Sequence, residues 1–214
     1  MRASGFEEMA SRLRTGDVLL FSGKGFASAG IRRILGCAWS HVGLVVHGAA
    51  SDRPLVLEST PCRDLADALT GERTGGVRLV DLCERLASFD GALAVRRLQP
   101  ALTLAQIERL MGLVRDLHRR PYERDLFELL RAISDRVERP RESLASLFCS
   151  ELVAEVLQGV GLLDDVCQGG RPSNEYTPRH FSSAHDLKLK LGFAFGPEIR
   201  LDHRAVSSGT RVAA

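Results

Sequence analysis

Cysteine, histidine and a carboxylate are the side chains from which a chain can build a nucleophile, a base and an orienting group. This sequence offers them as Cys149, His41 and Glu58. Cys149 lies in Ser146-Leu147-Phe148-Cys149-Ser150-Glu151-Leu152-Val153. Leu152, Val153, Val156, Leu157 and Val160 recur at steps of three and four, which reads as a helix with one apolar face. Glu151, Glu155 and Gln158 fall on the opposite, wet face. With Ser146 as N-cap, Cys149 stands near the third helical position. Unpaired N–H groups and the positive dipole end favour a thiolate there, and an oxyanion during reaction. The competing reading makes Cys149 a small buried hydrophobe, as cysteines outside disulfides commonly are.

His41 and Glu58 belong to a β-hairpin, residues 39–47 and 54–59, with a polar tip. A turn centred between Ala49 and Ala50 makes paired residue numbers sum to about 99 and sets His41 opposite Glu58. Opposed residues share a face, with Cβ atoms roughly 4.5–5.5 Å apart. A slip of one residue would send Glu58 to the other face. The reading therefore requires three side chains from distant segments to meet at the mouth of a groove.

Rival assignments are weaker. Cys37 is also near His41 but has no helix N-terminus to activate it. Cys37, His41 and His47 as zinc ligands fail on distance, because the two histidines lie about 20 Å apart along a strand. No metal and no cofactor are expected. His118, His180, His185 and His203 sit in charged or terminal contexts and read as surface residues, and His47 as a hairpin tip in water. Trp39 is better taken as a core aromatic than as a cleft wall. Asp17 begins a strand or caps a turn. The arginines at 119, 120, 124, 131, 136, 139 and 141 read as a solvated face. Ser22-Gly23-Lys24-Gly25 lacks the spacing of a phosphate loop.

The remaining elements must carry these residues. Residues 6–14 and 26–35 read as short helices around a buried strand, Asp17-Val18-Leu19-Leu20-Phe21. Residues 75–80 and 92–97 read as further strands. Thr103 caps an amphipathic helix to Arg119, stopped by Pro121, and residues 122–137 are helical in part. Residues 136–142 form an exposed loop. The cysteine helix ends near Gly159 or Gly161, residues 171–178 are turn-rich, and Leu187-Lys188-Leu189-Lys190-Leu191-Gly192-Phe193-Ala194-Phe195 alternates as a half-exposed strand. There is no internal repeat.

At 214 residues, with 44% hydrophobic and 26% charged, the chain suits one domain over 1–214, its core at about 16–196 and its termini frayed. A net charge of +2 with interspersed signs gives no argument for nucleic acid. No apolar run reaches the ~18 residues of a membrane span. The acidic start, Met1-Arg2-Ala3-Ser4-Gly5-Phe6-Glu7-Glu8, does not read as a signal peptide. Five cysteines without a C-x-x-C pair suit a reducing compartment, so a cytoplasmic location is expected, or export by a route that this N-terminus does not reveal.

One ordered set of fragments goes further: Gly16-Asp17-Val18-Leu19-Leu20-Phe21, Ser40-His41-Val42-Gly43-Leu44-Val45, Val56-Leu57-Glu58-Ser59, Arg120-Pro121-Tyr122 and Phe148-Cys149-Ser150-Glu151-Leu152-Val153, with Tyr176-Thr177-Pro178 and Phe181 after it. This set resembles the YiiX-like branch of the circularly permuted NlpC-type cysteine hydrolases, over roughly residues 16–181. The resemblance implies an α+β, permuted papain-like fold with a mainly antiparallel sheet of five to six strands and the nucleophile helix packed on it. It implies Cys149 as nucleophile, His41 as base and Glu58 as third polar residue. It also implies cleavage or transfer at an amide or ester through a thioester acyl-enzyme. Family relatives act on cell-wall peptides, and permuted cousins similar to lecithin–retinol acyltransferase act on lipid acyl chains. A small-molecule, peptide or lipid acyl substrate is therefore expected, with a non-catalytic binding module or a lipid acyltransferase as the alternatives. Phe148, where the family often has tyrosine, and a loop-like 138–145 depart from the pattern and bear on substrate choice.

Overall fold

The computed structural model describes residues 12–48, 53–119, 141–185 and 187–201. Six strands form one antiparallel sheet: β1 (Val18–Gly23), β2 (His41–Val46), β3 (Leu55–Thr60), β4 (Gly76–Asp81), β5 (Gly91–Arg96) and β8 (Ile199–Leu201). Their order is β4-β3-β2-β1-β5-β8, and β6 (Leu98–Gln99) pairs with β7 (Ala194–Phe195) in a separate ribbon. With helices beside it, the architecture is α+β.

The central strands are apolar on both faces because both faces are covered. Val18, Leu20, Val42, Leu44, Val46, Leu55, Leu57 and Leu79 point into the larger core, and Leu19, Phe21, Val45, Val56, Val80, Leu93 and Val95 into the smaller. Helix α4 (Arg141–Gly159) covers the first face, contributing Cys149, Leu152, Val153, Val156 and Leu157, with Val160 just beyond its end. Each such aliphatic side chain contributes about 1.5–3 kcal/mol on burial. Helix α2 (Leu82–Ser88) covers the second through Leu82 and Leu86.

Local chemistry sets the helix ends. α1 (Phe26–Leu35) closes on Gly36, whose φ of 56° is the left-handed C-cap that glycine accepts without strain. Asp81 caps α2 by accepting from the Glu84 N–H at 3.0 Å. At the start of α3 (Leu104–Arg119), Thr103 Oγ1 accepts from Gln106 N–H, while Gln106 Oε1 accepts from Thr103 N–H. Buried Arg96 donates to the carbonyls of Phe181, Ser182, Phe195 and Gly196, stitching the C-terminal segment to β5.

Several expectations are corrected. Residues 187–193 are not a strand: Leu191 (φ 57°) and Gly192 (φ 76°) turn the chain, and two successive left-handed residues break an extended run. Helix α2 was missed because seven residues between two strands leave little periodicity. The expected loop over 138–145 is helical from Arg141 onward; of the expected 6–14 helix, residues 12–14 are not helical and 6–11 lie outside the described residues, as does the 122–137 segment. Glu151, Glu155 and Gln158 are half-buried rather than wet, since turns at residues 173–181 pack on that side of α4. Gln158 Nε2 donates to the carbonyls of Asp164 and Arg171. Among the described residues no helix is long and apolar enough to cross a membrane.

Candidate functional site

His41 is the first residue of β2, opposite Phe21 of β1, with ring centroids 5.2 Å apart. Its Nε2 lies 3.0 Å from Glu58 Oε2. The expected pairing of the two is corrected by two residues. Leu44 faces Leu57 and Val45 faces Val56, so the same register sets Glu58 opposite Gly43 and diagonal to His41. A slip of two preserves the face, and a glutamate spans the diagonal. Gly43 puts no side chain between them.

Glu58 is fully buried. A lone carboxylate there would be costly, and two arginines answer it. Arg78, directly opposite Glu58 on β4, donates Nε and Nη2 to Oε1 at 3.1 and 2.8 Å. Arg85 of α2 donates Nε to Oε2 at 2.9 Å. Arg78 Nη2 also reaches Asp64 at 2.7 Å. Burial pushes the Glu58 carboxyl up, but Arg85, His41 and Arg78 together hold it well below the usual carboxylate range. These partners favour its ionised form.

Cys149 meets the same histidine. Burial alone would push His41 down, yet the charge on Cys149 and a hydrogen bond donated to it, then Glu58, raise it to about 9. With Glu58 on Nε2, Nδ1 is the ring nitrogen left for the sulfur. His41 stands at the end of the sheet, where a group on the α4 side can reach it. The structure therefore brings Cys149, His41 and Glu58 together.

Two local expectations fail. Cys149 is not in a first turn: α4 begins at Arg141, eight residues earlier, and Ser146 lies inside the helix rather than capping it. Only the first four N–H groups of a helix are unpaired, and the dipole effect fades within that turn. Helix-end activation and an oxyanion hole at residue 149 are both lost. Nor does the sulfur stand at an open groove. Cys149 has 0% of its surface exposed, while the His41 side chain keeps 16%.

The other candidates separate from this cluster. Cys37 is half-buried, its Sγ accepting the Trp39 N–H at 3.5 Å. His47, expected in water, is held by Leu13 O at 2.9 Å at the far end of β2. His118, expected at the surface, pairs with buried Asp67 at 2.9 Å. His180 accepts the Thr177 N–H at 2.9 Å; burial, then the neighbouring Arg171 and His185, push it down to about 4. His185 stacks on its edge at 4.6 Å. His203 lies outside the described residues, as do the arginines at 120, 124, 131, 136 and 139, while Arg141 opens α4. Trp39 is buried in the core and also lines a small pocket at its edge. Among the described residues no group of three or more His, Cys, Asp and Glu side chains could hold a metal ion.

Arg78, Arg85 and Asp64 were the site residues missed from sequence. A signal existed for one: Arg78 is a single charge inside Gly76-Val77-Arg78-Leu79-Val80, the mirror of Glu58 inside Leu55-Val56-Leu57-Glu58, and buried strand charges come in pairs.

No family model matches the chain, and no curated protein matches it. Among solved structures it is similar to the metalloprotein yiiX from Escherichia coli O157:H7, described as DUF1105. The identity is 23%, covering 70% of this chain and 67% of that one, with a TM-score of 0.47.

Proposed function

We propose that the chain is a cysteine-dependent hydrolase or acyl transferase on a permuted papain-like fold, with Cys149 as nucleophile, His41 as proton carrier and Glu58 as orienting anion. The observation that carries this reading is the chain of contacts from Cys149 to His41 to Glu58, in which the sulfur side raises the histidine to about 9. A histidine charged at neutral pH is the partner a thiolate requires.

The sulfur attacks the carbonyl carbon of an amide or ester, forming a C–S bond. His41 gives its proton to the leaving amine or alcohol as the C–N or C–O bond breaks. Water, or an acceptor hydroxyl in acyl transfer, then attacks the thioester. His41 takes that proton and the thiolate is regenerated. Glu58 holds one imidazole tautomer and never takes the proton, because two guanidiniums keep it ionised. Substrate reaches the sulfur only after the groups covering Cys149 part, so the closed state alternates with an open one.

A panel of peptide, small-molecule and lipid acyl substrates tests this by turnover and by mass of the acyl adduct. The expected result is an adduct on residue 149, with turnover falling at least about a hundredfold in Cys149→Ala and in His41→Ala. Turnover surviving Cys149→Ala would end the reading. The burial of Cys149 favours a second reading, a binding module that keeps the cysteine as core. It predicts no adduct from any member of the panel and ligand binding unchanged in Cys149→Ala.

A further inference from the structure

A second feature stands beside this cluster. A pocket of about 280 Å³ opens at the sheet end where β1 finishes and β2 begins, lined by Ser22, Arg32, Cys37, Trp39, Ala92 and Arg200. Cys37 and Ala92 pack against the core that also contains Trp39 and Cys149, so the pocket lies on the side of the sheet that α4 covers. Its walls carry two guanidiniums. Arg32 Nη1 is held by Gly23 O at 2.5 Å and Ser28 Oγ at 3.1 Å, which fixes the head group. Arg200 lies over the Trp39 ring, its guanidinium carbon 5.7 Å from the centroid. Among the described residues the Arg32 guanidinium bonds only through Nη1, and the Arg200 guanidinium has no hydrogen-bond or ion-pair partner. The carboxylate of Glu198, two residues before Arg200, is taken up by Trp39 Nε1 at 3.0 Å and the Ser183 N–H at 2.8 Å. A concave site with an aromatic wall and two guanidiniums offering open donors is built for a planar or tetrahedral oxyanion.

We propose that this pocket is an anion subsite, in which Arg32 and Arg200 receive a carboxylate or phosphate carried by the acyl substrate. The inference rests on the hydrolase reading for the word substrate, but not for binding. Neutral acyl compounds are then poor substrates, and acyl groups bearing a terminal negative charge are good ones.

Trp39 is the only tryptophan in the chain, so its fluorescence reports the pocket directly. The test titrates the Cys149→Ala protein with benzoate, phenyl phosphate and, as a neutral control, benzamide. The expected result is a saturable change with one or both anions and none with benzamide. Affinity should weaken about tenfold or more in Arg200→Gln and with added salt. Because Arg32→Gln loses contacts within the fold, Arg32→Lys serves as its partner variant; it keeps the charge and loses the fork, and should weaken binding less than Arg200→Gln. Benzoate alone, or phenyl phosphate alone, assigns the anion. No saturable change, or binding indifferent to Arg200, overturns the subsite. Turnover assays on matched anionic and neutral esters separate the two ideas. Anion binding without turnover of either ester sinks the hydrolase reading alone. Equal turnover of both sinks the subsite alone.

Discussion

Glu58 decides more at the scale of single residues than the cysteine does. It is sealed from water and accepts from Arg78, Arg85 and His41. Removing its charge strands two buried guanidiniums, so Glu58→Gln should cost about 3–5 kcal/mol in urea unfolding. A loss under about 1 kcal/mol would mean that water reaches the cluster. The same contacts set the pH dependence. His41 is raised from 6.5 to about 9, so its contribution is fully present below 6.5 and is lost as pH rises through about 9. Glu58 is lowered from 4.5, so its contribution is present above 4.5 and is lost as pH falls through its much lower folded value. Urea midpoints should therefore be highest between pH 4.5 and 6.5, as far as these two groups decide, and fall on the alkaline side. Cys149→Ala should flatten much of that alkaline fall; an unchanged fall would show that the sulfur is not His41's partner.

The hairpin and the cysteine helix carry the site at the scale of elements, and they differ in how far sequence defines them. The hairpin was legible because its apolar runs and polar tip are local signals, and the pairing error of two residues left both side chains on one face. A Cβ on Gly43 would lie 2.8 Å from Val56 Cγ1 and 3.3 Å from the Leu57 carbonyl. Gly43→Ala should thus push β2 from β3, destabilise by about 1–3 kcal/mol and lower the His41 pKa read by NMR as the Glu58 contact stretches. A stability loss with that pKa unmoved would show that the diagonal tolerates the shift. Helix α4 was legible as a helix and in its buried face, from Leu152 to Val160. Its start was not. A serine ahead of a cysteine looks like a cap, but capping is decided by where the helical hydrogen bonds begin, and Ser146 lies within them. The Arg78–Glu58 pairing joins strands whose register no local pattern fixes, and the 187–195 alternation yielded to two left-handed residues at its middle.

The whole molecule sets an access problem that the chemistry must solve. Cys149 is enclosed between a two-faced sheet and the helix that carries it, while Cys62 and Cys167 are exposed. Those two thiols give internal references for alkylation by iodoacetamide, and Cys149 should react at least about tenfold more slowly, in proportion to how seldom the fold opens. The denaturant dependence identifies the opening. Parting a few covering groups exposes little surface, so the Cys149 rate should rise only shallowly in urea well below the unfolding midpoint. If the sulfur is reached only by unfolding the core, its rate should instead climb with the full slope of global unfolding, and its protection should equal the global stability. The shallow slope is what a thiol that meets substrate requires. The steep one would make Cys149 a core residue in fact as well as in burial, and the acyl-enzyme would have no route to form.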